Sequence, residues 1–155
     1  MSVVTKATDL LMLTDEAKGR LNALLSQSAQ TLENEIGSLA FQTYISLPDD
    51  ADPFTDDAHE IPNPAYIAYE SLTSDQKLRR NLETAQACFL LYHTITSSKQ
   101  ISAGAVLLTK ATAGSGSLNP SDVGEIDQLR KMLWNKGIDL CNVYRSTGGM
   151  SVFVV

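Results

Sequence analysis

The sequence predicts a mainly α-helical protein, a bundle of three long helices plus a short one, with long loops, minor β strands and an extended C-terminal arm. Apolar residues recur at helical spacing over three long segments, and stretches rich in proline, glycine or serine separate them. A chain of 155 residues, 43% of them hydrophobic, is long enough to bury one core. We therefore expect a single helical domain over 1–149 and an arm over 150–155.

The first third of the chain contains a predicted N-terminal arm, residues 1–13, followed by the first long helix near 15–36. Thr14 has the side chain of an N-cap, the two acidic residues after it suit the positive end of a helix, and Gly37 is a suitable stop. Residues 39–47 are short and β-prone, and they fit either a strand or a further helical turn.

Residues 48–64 are predicted to form a loop, because they contain four prolines and six acidic residues. A loop of this length in a compact domain is usually functional or disordered. Within it, Phe54, Asp56 and Asp57 are our candidates for contact with a protein partner, although a solvated loop is the simpler interpretation.

Patterns that would indicate a bound metal or nucleotide are incomplete. An EF-hand calcium loop starting at Asp50 would need Gly at its sixth position and Glu at its twelfth, where Thr55 and Ile61 stand. The glycines of 113–117 are followed by no P-loop lysine, and the dinucleotide pattern has Asn119 in place of its last glycine. We therefore expect no metal and no cofactor.

The later helices are predicted from caps and apolar stripes. An Asn-Pro pair predicts a short helix near 64–72, and the next long helix, near 74–97, begins with Thr73 and Gln76 at capping-box spacing. Its wide apolar stripe indicates packing on more than one neighbour.

The last long helix is predicted near 120–145, after a connection over 98–119 in which residues 101–109 are strand-like. Gly124 and Gly137 each weaken this helix by roughly 1 kcal/mol relative to Ala, unless close packing requires the missing side chain.

The cysteines and histidines suggest no catalytic site. Cys88 and Cys141 fall inside apolar helical patterns, so we expect buried thiols and no disulfide framework. His93 follows Cys88 by five residues and shares a helix face with it poorly, so a Cys–His nucleophile pair would require a tertiary contact. We expect no enzymatic activity.

The net charge of −6 is unevenly distributed. Residues 1–75 contain 13 acidic and 3 basic residues, a balance of −10, whereas residues 76–155 contain 5 and 9, a balance of +4. This asymmetry either guides head-to-tail contact between identical subunits or reflects two solvated faces. The sparse basic residues argue against sequence-specific nucleic-acid binding. We also expect no secretory signal and no membrane span, hence synthesis in the cytoplasm.

The C-terminal tail is uncharged, apolar and β-branched, and its candidate interaction residues are Met150, Val152, Phe153, Val154 and Val155. An unpaired β-prone segment seeks a partner edge. It is either the last strand of its own fold or a strand added to a neighbouring chain, with 39–47 and 101–109 as candidate receivers.

This organisation resembles the head-tail connector (adaptor, or head completion) proteins of tailed bacteriophages. The resemblance rests on the helix 74–97, the segment 104–117, the helix 120–144 and the tail to Val155. It implies a structural virion protein, made in the host cytoplasm, that forms a ring of about twelve subunits between the portal protein and a downstream tail or neck protein. DNA would pass through the channel, where like charges avoid binding the phosphates. The acidic insertion 48–64 departs from the simplest members of this group.

Two other interpretations remain open at this stage. One is a non-enzymatic helical module that binds or regulates a protein partner without forming a ring. The other is a small enzyme that uses Cys88, His93 or the acidic loop.

Overall fold

A computed structural model describes residues 2–13, 17–100, 123–147 and 150–151. Within these residues the chain is mainly helical, as the sequence predicts. The elements are α1 (Val3–Leu10), α2 (Lys18–Ala23), α3 (Leu25–Ile36), α4 (Ser38–Ser46), a 3-10 turn (Tyr69–Ser71), α5 (Ser74–Gln100), α6 (Val123–Cys141), β1 (Ser146–Thr147) and β2 (Met150–Ser151).

Helix α5 is the central element, because every other helix packs against it. The run of eight positions from Leu82 to Phe89 contains six fully buried side chains, so α5 is covered on several sides, as its wide apolar stripe predicts. Helix α6 runs antiparallel to α5: Phe89 contacts Trp134 near the middle, with ring centroids 5.1 Å apart, and Asn81 donates to the Tyr144 hydroxyl at 3.3 Å near one end.

The predicted capping box at the start of α5 is confirmed. The backbone N–H of Gln76 donates to Thr73 Oγ1 at 3.3 Å, and the backbone N–H of Thr73 donates to Gln76 Oε1 at 3.0 Å. These two bonds satisfy donors that a helix start otherwise leaves free.

The single helix predicted near 15–36 is wrong in its extent. The chain breaks at Leu24 (φ −108°, ψ 8°), whose N–H donates to Leu21 O at 3.2 Å, so α2 and α3 are separate helices. Gly37 then ends α3 with φ 88°, a conformation that favours glycine, and the undecided stretch 39–47 forms α4 rather than a strand. A helix has no free edge, so this stretch cannot receive an added strand.

Residues 3–10, expected within an N-terminal arm, form helix α1. Ser2 caps it by accepting the Thr5 backbone N–H at 3.1 Å, and Ala7 is fully buried against the core. Tertiary packing overrides the short length of this segment, since an isolated helix of eight residues is unstable in water.

Two further segments, one just before α5 and one at the C-terminal end, also differ from the prediction. The short helix predicted near 64–72 is only the 3-10 turn Tyr69–Ser71. Met150, assigned to the C-terminal arm, lies in β2 and pairs with Thr147 of β1 in an antiparallel hairpin, so the first arm residues pair with their own chain. Residues 101–109 and 152–155 lie outside the described residues.

Candidate functional site

Six charged side chains form a cluster under the acidic loop, and we call them the ionic cluster: Lys6, Asp49, Asp50, Arg79, Arg80 and Glu83. They are three cations and three anions from α1, the loop and α5. Arg79 and Arg80 pair with these carboxylates within the chain.

The centre of the ionic cluster is a pair of buried carboxylates. Lys6 Nζ lies 3.1 Å from Asp50 Oδ2 and 3.1 Å from Glu83 Oε2. Arg80 donates from Nε to Asp50 Oδ2 at 2.8 Å and from Nη2 to Asp50 Oδ1 at 2.9 Å. This bidentate geometry requires a planar guanidinium. Arg79 Nε lies 2.7 Å from Glu83 Oε1.

Burial makes these pairs necessary for the fold. The exposed fraction of the side chain is 0% for Glu83 and 8% for both Lys6 and Asp50. An unpaired charge in such a place is strongly destabilising. Burial alone would raise the pKa of Asp50, but hydrogen bonds and charges from Arg80 and Lys6 outweigh it and hold that pKa below its usual value.

A neutral polar network extends the ionic cluster into α3 and α4. The Tyr44 hydroxyl donates to Gln86 Oε1 at 2.9 Å, and Gln86 Nε2 donates to Ser28 Oγ at 3.3 Å. Arg79 lies over the Tyr44 ring, 4.6 Å from its centroid, and donates to the Tyr44 carbonyl at 2.7 Å. Burial raises the pKa of Tyr44, so its hydroxyl stays protonated and serves as a donor.

Residues 54–61 of the acidic loop are held together by hydrogen bonds within the segment, and we call them the loop tip. The Asp56 carboxylate accepts the backbone N–H groups of Ile61 at 2.8 Å and Glu60 at 3.0 Å. These bonds, led by that from Ile61, hold the pKa of Asp56 below its usual value. Phe54 pairs with Pro62 in an isolated bridge across the base of the tip.

A groove of about 400 Å³ separates the loop tip from α1. His59 spans one side of it, with Nε2 3.7 Å from Asp9 Oδ1 and its ring centroid 5.2 Å from that of Phe54. Burial raises the pKa of Asp9, and the nearby His59 opposes that rise. The lining combines carboxylates with apolar side chains, chiefly Asp9, Asp52, Asp56, Asp57, Met12 and Phe54.

Large apolar side chains stand exposed beside this groove, at the end of the loop tip and on α6. Met12, 77% exposed, and Phe54 line the groove, and Ile61, 58% exposed, ends the loop tip. On α6, Met132 is 58% exposed. Scattered exposed apolar residues are ordinary, but a set beside one groove indicates a contact surface.

The predicted interaction residues have different positions. Phe54 and Asp57 are exposed at the loop tip, whereas Asp56 is half-buried and acts as the acceptor that shapes it. Met150 lies in β2, and Val152, Phe153, Val154 and Val155 fall outside the described residues. Sequence reasoning missed Lys6 and Glu83. Each is a charged residue on a helix face that is otherwise buried, and this pattern is the signal that could have revealed the pair.

The two cysteines are buried free thiols, as predicted. Burial raises the pKa of Cys88 to about 11 and that of Cys141 to about 12, so both stay protonated and unreactive near neutral pH. His93 Nε2 lies 2.7 Å from Thr31 Oγ1 and Nδ1 lies 3.4 Å from Gln27 Nε2, so both ring nitrogens face α3. Burial lowers the pKa of His93.

Comparison with known proteins identifies no relative: no family model, curated protein or solved structure matches this chain. Across residues 2–13, 17–100, 123–147 and 150–151, no helix combines the length and apolar character that crossing a bilayer requires. In the same part of the chain, no three His, Cys, Asp or Glu side chains cluster as metal ligands would.

Proposed function

We propose that this chain is a non-enzymatic structural subunit of a tailed-bacteriophage virion, a head-tail connector. In this proposal about twelve copies form a ring between the portal protein and a downstream tail or neck protein. The chain is made in the host cytoplasm and ends in the virion, and it requires no cofactor.

The observation that carries the proposal is the loop tip, an exposed apolar and acidic surface on a fixed base. Its own hydrogen bonds shape it, and the ionic cluster holds the start of the loop against α1 and α5. A surface that is already ordered loses little conformational entropy on binding, which favours contact with another protein.

The charge of the chain supports a place beside a DNA channel. Its net charge is −6, and the acidic residues of the loop tip have no basic neighbour in that segment other than His59. Acidic walls do not retain the phosphate backbone, whereas clustered Lys and Arg would. DNA therefore passes without sequence-specific binding.

The finer architecture is part of the same proposal. In this proposal α3, α5 and α6 form a three-helix body of the subunit. The apolar residues after Ser151, namely Val152, Phe153, Val154 and Val155, contact a neighbouring subunit or the portal. Burial of large apolar side chains contributes roughly 1.5–3 kcal/mol each, comparable with the cost of ordering the backbone.

The experiment is reconstitution with the portal ring encoded by the same phage. We expect the purified chain to add a ring to isolated portal rings, visible in electron-microscopy class averages, and antibody labels to mark the neck of virions. The variant Ile61→Asp should weaken addition to the portal, because it places a further charge in the apolar part of the loop tip. Leu39→Asp is the matched control, since Leu39 is 83% exposed on α4.

Virions that carry no copy of the chain would contradict the proposal. So would a purified chain that binds neither portal rings nor neck proteins.

The same loop tip favours one alternative, a non-enzymatic helical module that binds a protein partner without forming a ring. Measuring the mass of the complex distinguishes these two functions. A ring subunit gives a closed assembly of defined size on the portal, whereas a regulatory module gives a small complex of fixed stoichiometry with its partner.

A further inference from the structure

We propose that the apolar residues 152–155 of one copy bind residues 64–69 of the next copy by pairing as an added strand. We call residues 64–69 the tyrosine surface, because they include Tyr66 and Tyr69. This inference rests on the proposed function, because it names the surface of the neighbouring subunit that the end of the tail contacts.

The tyrosine surface is exposed over its whole length, between the loop tip and α5. Tyr66, Ile67 and Tyr69 lie within four consecutive positions, and their exposed fractions are between 37% and 42%. Single exposed apolar side chains need no explanation, but a contiguous group of them marks a contact surface. The tyrosine surface is therefore a candidate for burial by another segment.

The two tyrosine side chains are held in place by α5. Arg80 lies over the Tyr66 ring, 4.4 Å from its centroid, and Lys77 lies over the Tyr69 ring at 5.3 Å. The Tyr69 hydroxyl also accepts a hydrogen bond from Asn81 Nδ2 at 3.0 Å. Aromatic side chains that are already fixed lose little conformational entropy when a partner binds, so they suit a contact surface.

The backbone of the tyrosine surface offers hydrogen-bonding groups. Ala68 has φ −60° and ψ 145°, so the chain is extended there. Within the part of the chain that the structure describes, the N–H groups of Ile67 and Ala68 donate to no other residue. Open N–H groups on an extended and exposed segment can pair with a second extended segment, as those of a sheet edge do.

The end of the tail matches this surface in composition. Residues 152–155 are uncharged and apolar, and three of the four are valine, which favours an extended backbone. Side chains without charge lose little hydration when they pack between two tyrosines. One receiver that the sequence suggests, residues 39–47, is replaced by helix α4.

The tail and the tyrosine surface lie at the same end of the subunit. Asn81 Nδ2 donates to the Tyr69 hydroxyl at 3.0 Å and to the Tyr144 hydroxyl at 3.3 Å, so the segment that follows α6 meets the tyrosine surface beside the start of α5. Tyr144 is followed by the hairpin of β1 and β2, which ends at Ser151.

Ring symmetry turns this position into a contact between copies. Rotation about the axis of a closed ring keeps each feature of the subunit at one level, so the tail of one copy stands level with the tyrosine surface of the next. Four extended residues span about 13 Å, which is enough to reach a neighbour that packs side by side.

Cysteine variants of the full chain test the contact. Ala68→Cys and Val154→Cys are prepared separately, mixed at rising concentration, alone or on isolated portal rings, and oxidised. We expect about tenfold more disulfide-linked dimer than from Ala23→Cys mixed with Val154→Cys, because a disulfide joins only Cα atoms closer than about 7 Å. Ala23 is a matched control, since it is an exposed alanine on α2. The native Cys88 and Cys141 are buried and do not compete.

Ala68→Pro tests the backbone pairing. Proline fits the φ of Ala68 but removes its N–H, so association should weaken by about tenfold or more, in sedimentation velocity of the chain alone and in ring formation on the portal. Ala68→Ser keeps the N–H and is the matched control, which should associate like the wild-type chain. Circular dichroism checks that each variant folds, and the cysteine test does not depend on the proline variant. Phe153→Cys covers the opposite face of the added strand.

A double variant, Ala68→Cys with Val154→Cys, distinguishes the two possible owners of the tail. A disulfide that forms within one copy and not between copies overturns the inference. So do mixtures that link no more than the control both alone and on the portal, and an Ala68→Pro chain that associates like Ala68→Ser.

The proposed function and this inference can fail separately. Rings on the portal that form without these links would remove this interface and leave the proposed function standing. Links between copies of a chain that binds neither portal nor neck proteins would do the opposite.

Discussion

Replacing Gly137 by alanine should destabilise the protein, although alanine is the better helix former. Gly137 lies in α6, directly under the ring of Phe89 on α5. A Cβ built at Gly137 would lie 2.7 Å from Cε1 of that ring, 2.9 Å from Cζ and 3.1 Å from Cδ1. Carbon atoms at optimal separation are about 3.5–4.0 Å apart, so the ring must move.

The structure allows the ring little room to move. Phe89 is fully buried, and the Trp134 ring lies beside it with centroids 5.1 Å apart. Overpacking of this kind costs about 1–3 kcal/mol, while the helix propensity of alanine returns about 1 kcal/mol. We therefore expect Gly137→Ala to lower the free energy of unfolding by up to about 2 kcal/mol, or the Tm by up to roughly 8 °C for a chain of this size.

Urea unfolding followed by circular dichroism measures this change. Gly19→Ala is the matched control, because Gly19 lies in α2 and its Cβ would meet nothing within 4 Å. That variant should gain up to about 1 kcal/mol. In a Phe89→Leu background, which removes the ring, Gly137→Ala should become neutral or stabilising. If Gly137→Ala stabilises the wild-type chain as much as Gly19→Ala does, the close approach of α5 and α6 is not as described.

Three further predictions concern the buried charges and thiols. Lys6→Met should cost about 3 kcal/mol in urea unfolding, because the fully buried Glu83 loses a cation, and adding Glu83→Gln should restore part of that loss. The pKa of Asp50 is lowered by folding, so its stabilising contribution is complete above its unfolded pKa of about 3.9 and disappears as pH falls through the folded value. Asp50→Asn should therefore cost most at neutral pH and least in acid, and an equal cost at both would contradict the pairing. Cys88 and Cys141 should resist a thiol reagent at pH 8 in the native chain and react only at the rate of unfolding; rapid labelling would show that they are accessible.

Local features of this protein follow from the sequence because the interacting groups are a few residues apart. The capping box of α5 joins Thr73 to Gln76, and the apolar stripes that bury Cys88 and Cys141 repeat every three or four positions. Such patterns are visible in a single window of sequence. They predict the mainly helical class, the start of α5, and the burial of both thiols.

The candidate site was visible only in part. Phe54 and Asp57 are exposed as their surroundings suggest, because proline and crowded carboxylates keep the segment out of regular structure. The role of Asp56 as an acceptor inside the loop tip was not evident, since it depends on the path of the backbone to Ile61. The exposed face of α6 likewise required knowing which side α5 covers.

The sequence alone therefore determined the helical class, the capping of α5 and the apolar faces that have to be buried. Only the tertiary structure decided that residues 3–10 form a packed helix, that the helix expected near 15–36 breaks at Leu24, and that the acidic loop is anchored at its base. The physical reason is the distance along the chain between partners. Lys6 meets Asp50 and Glu83 across 44 and 77 positions, and such pairs exist only once α1, the loop and α5 are packed together.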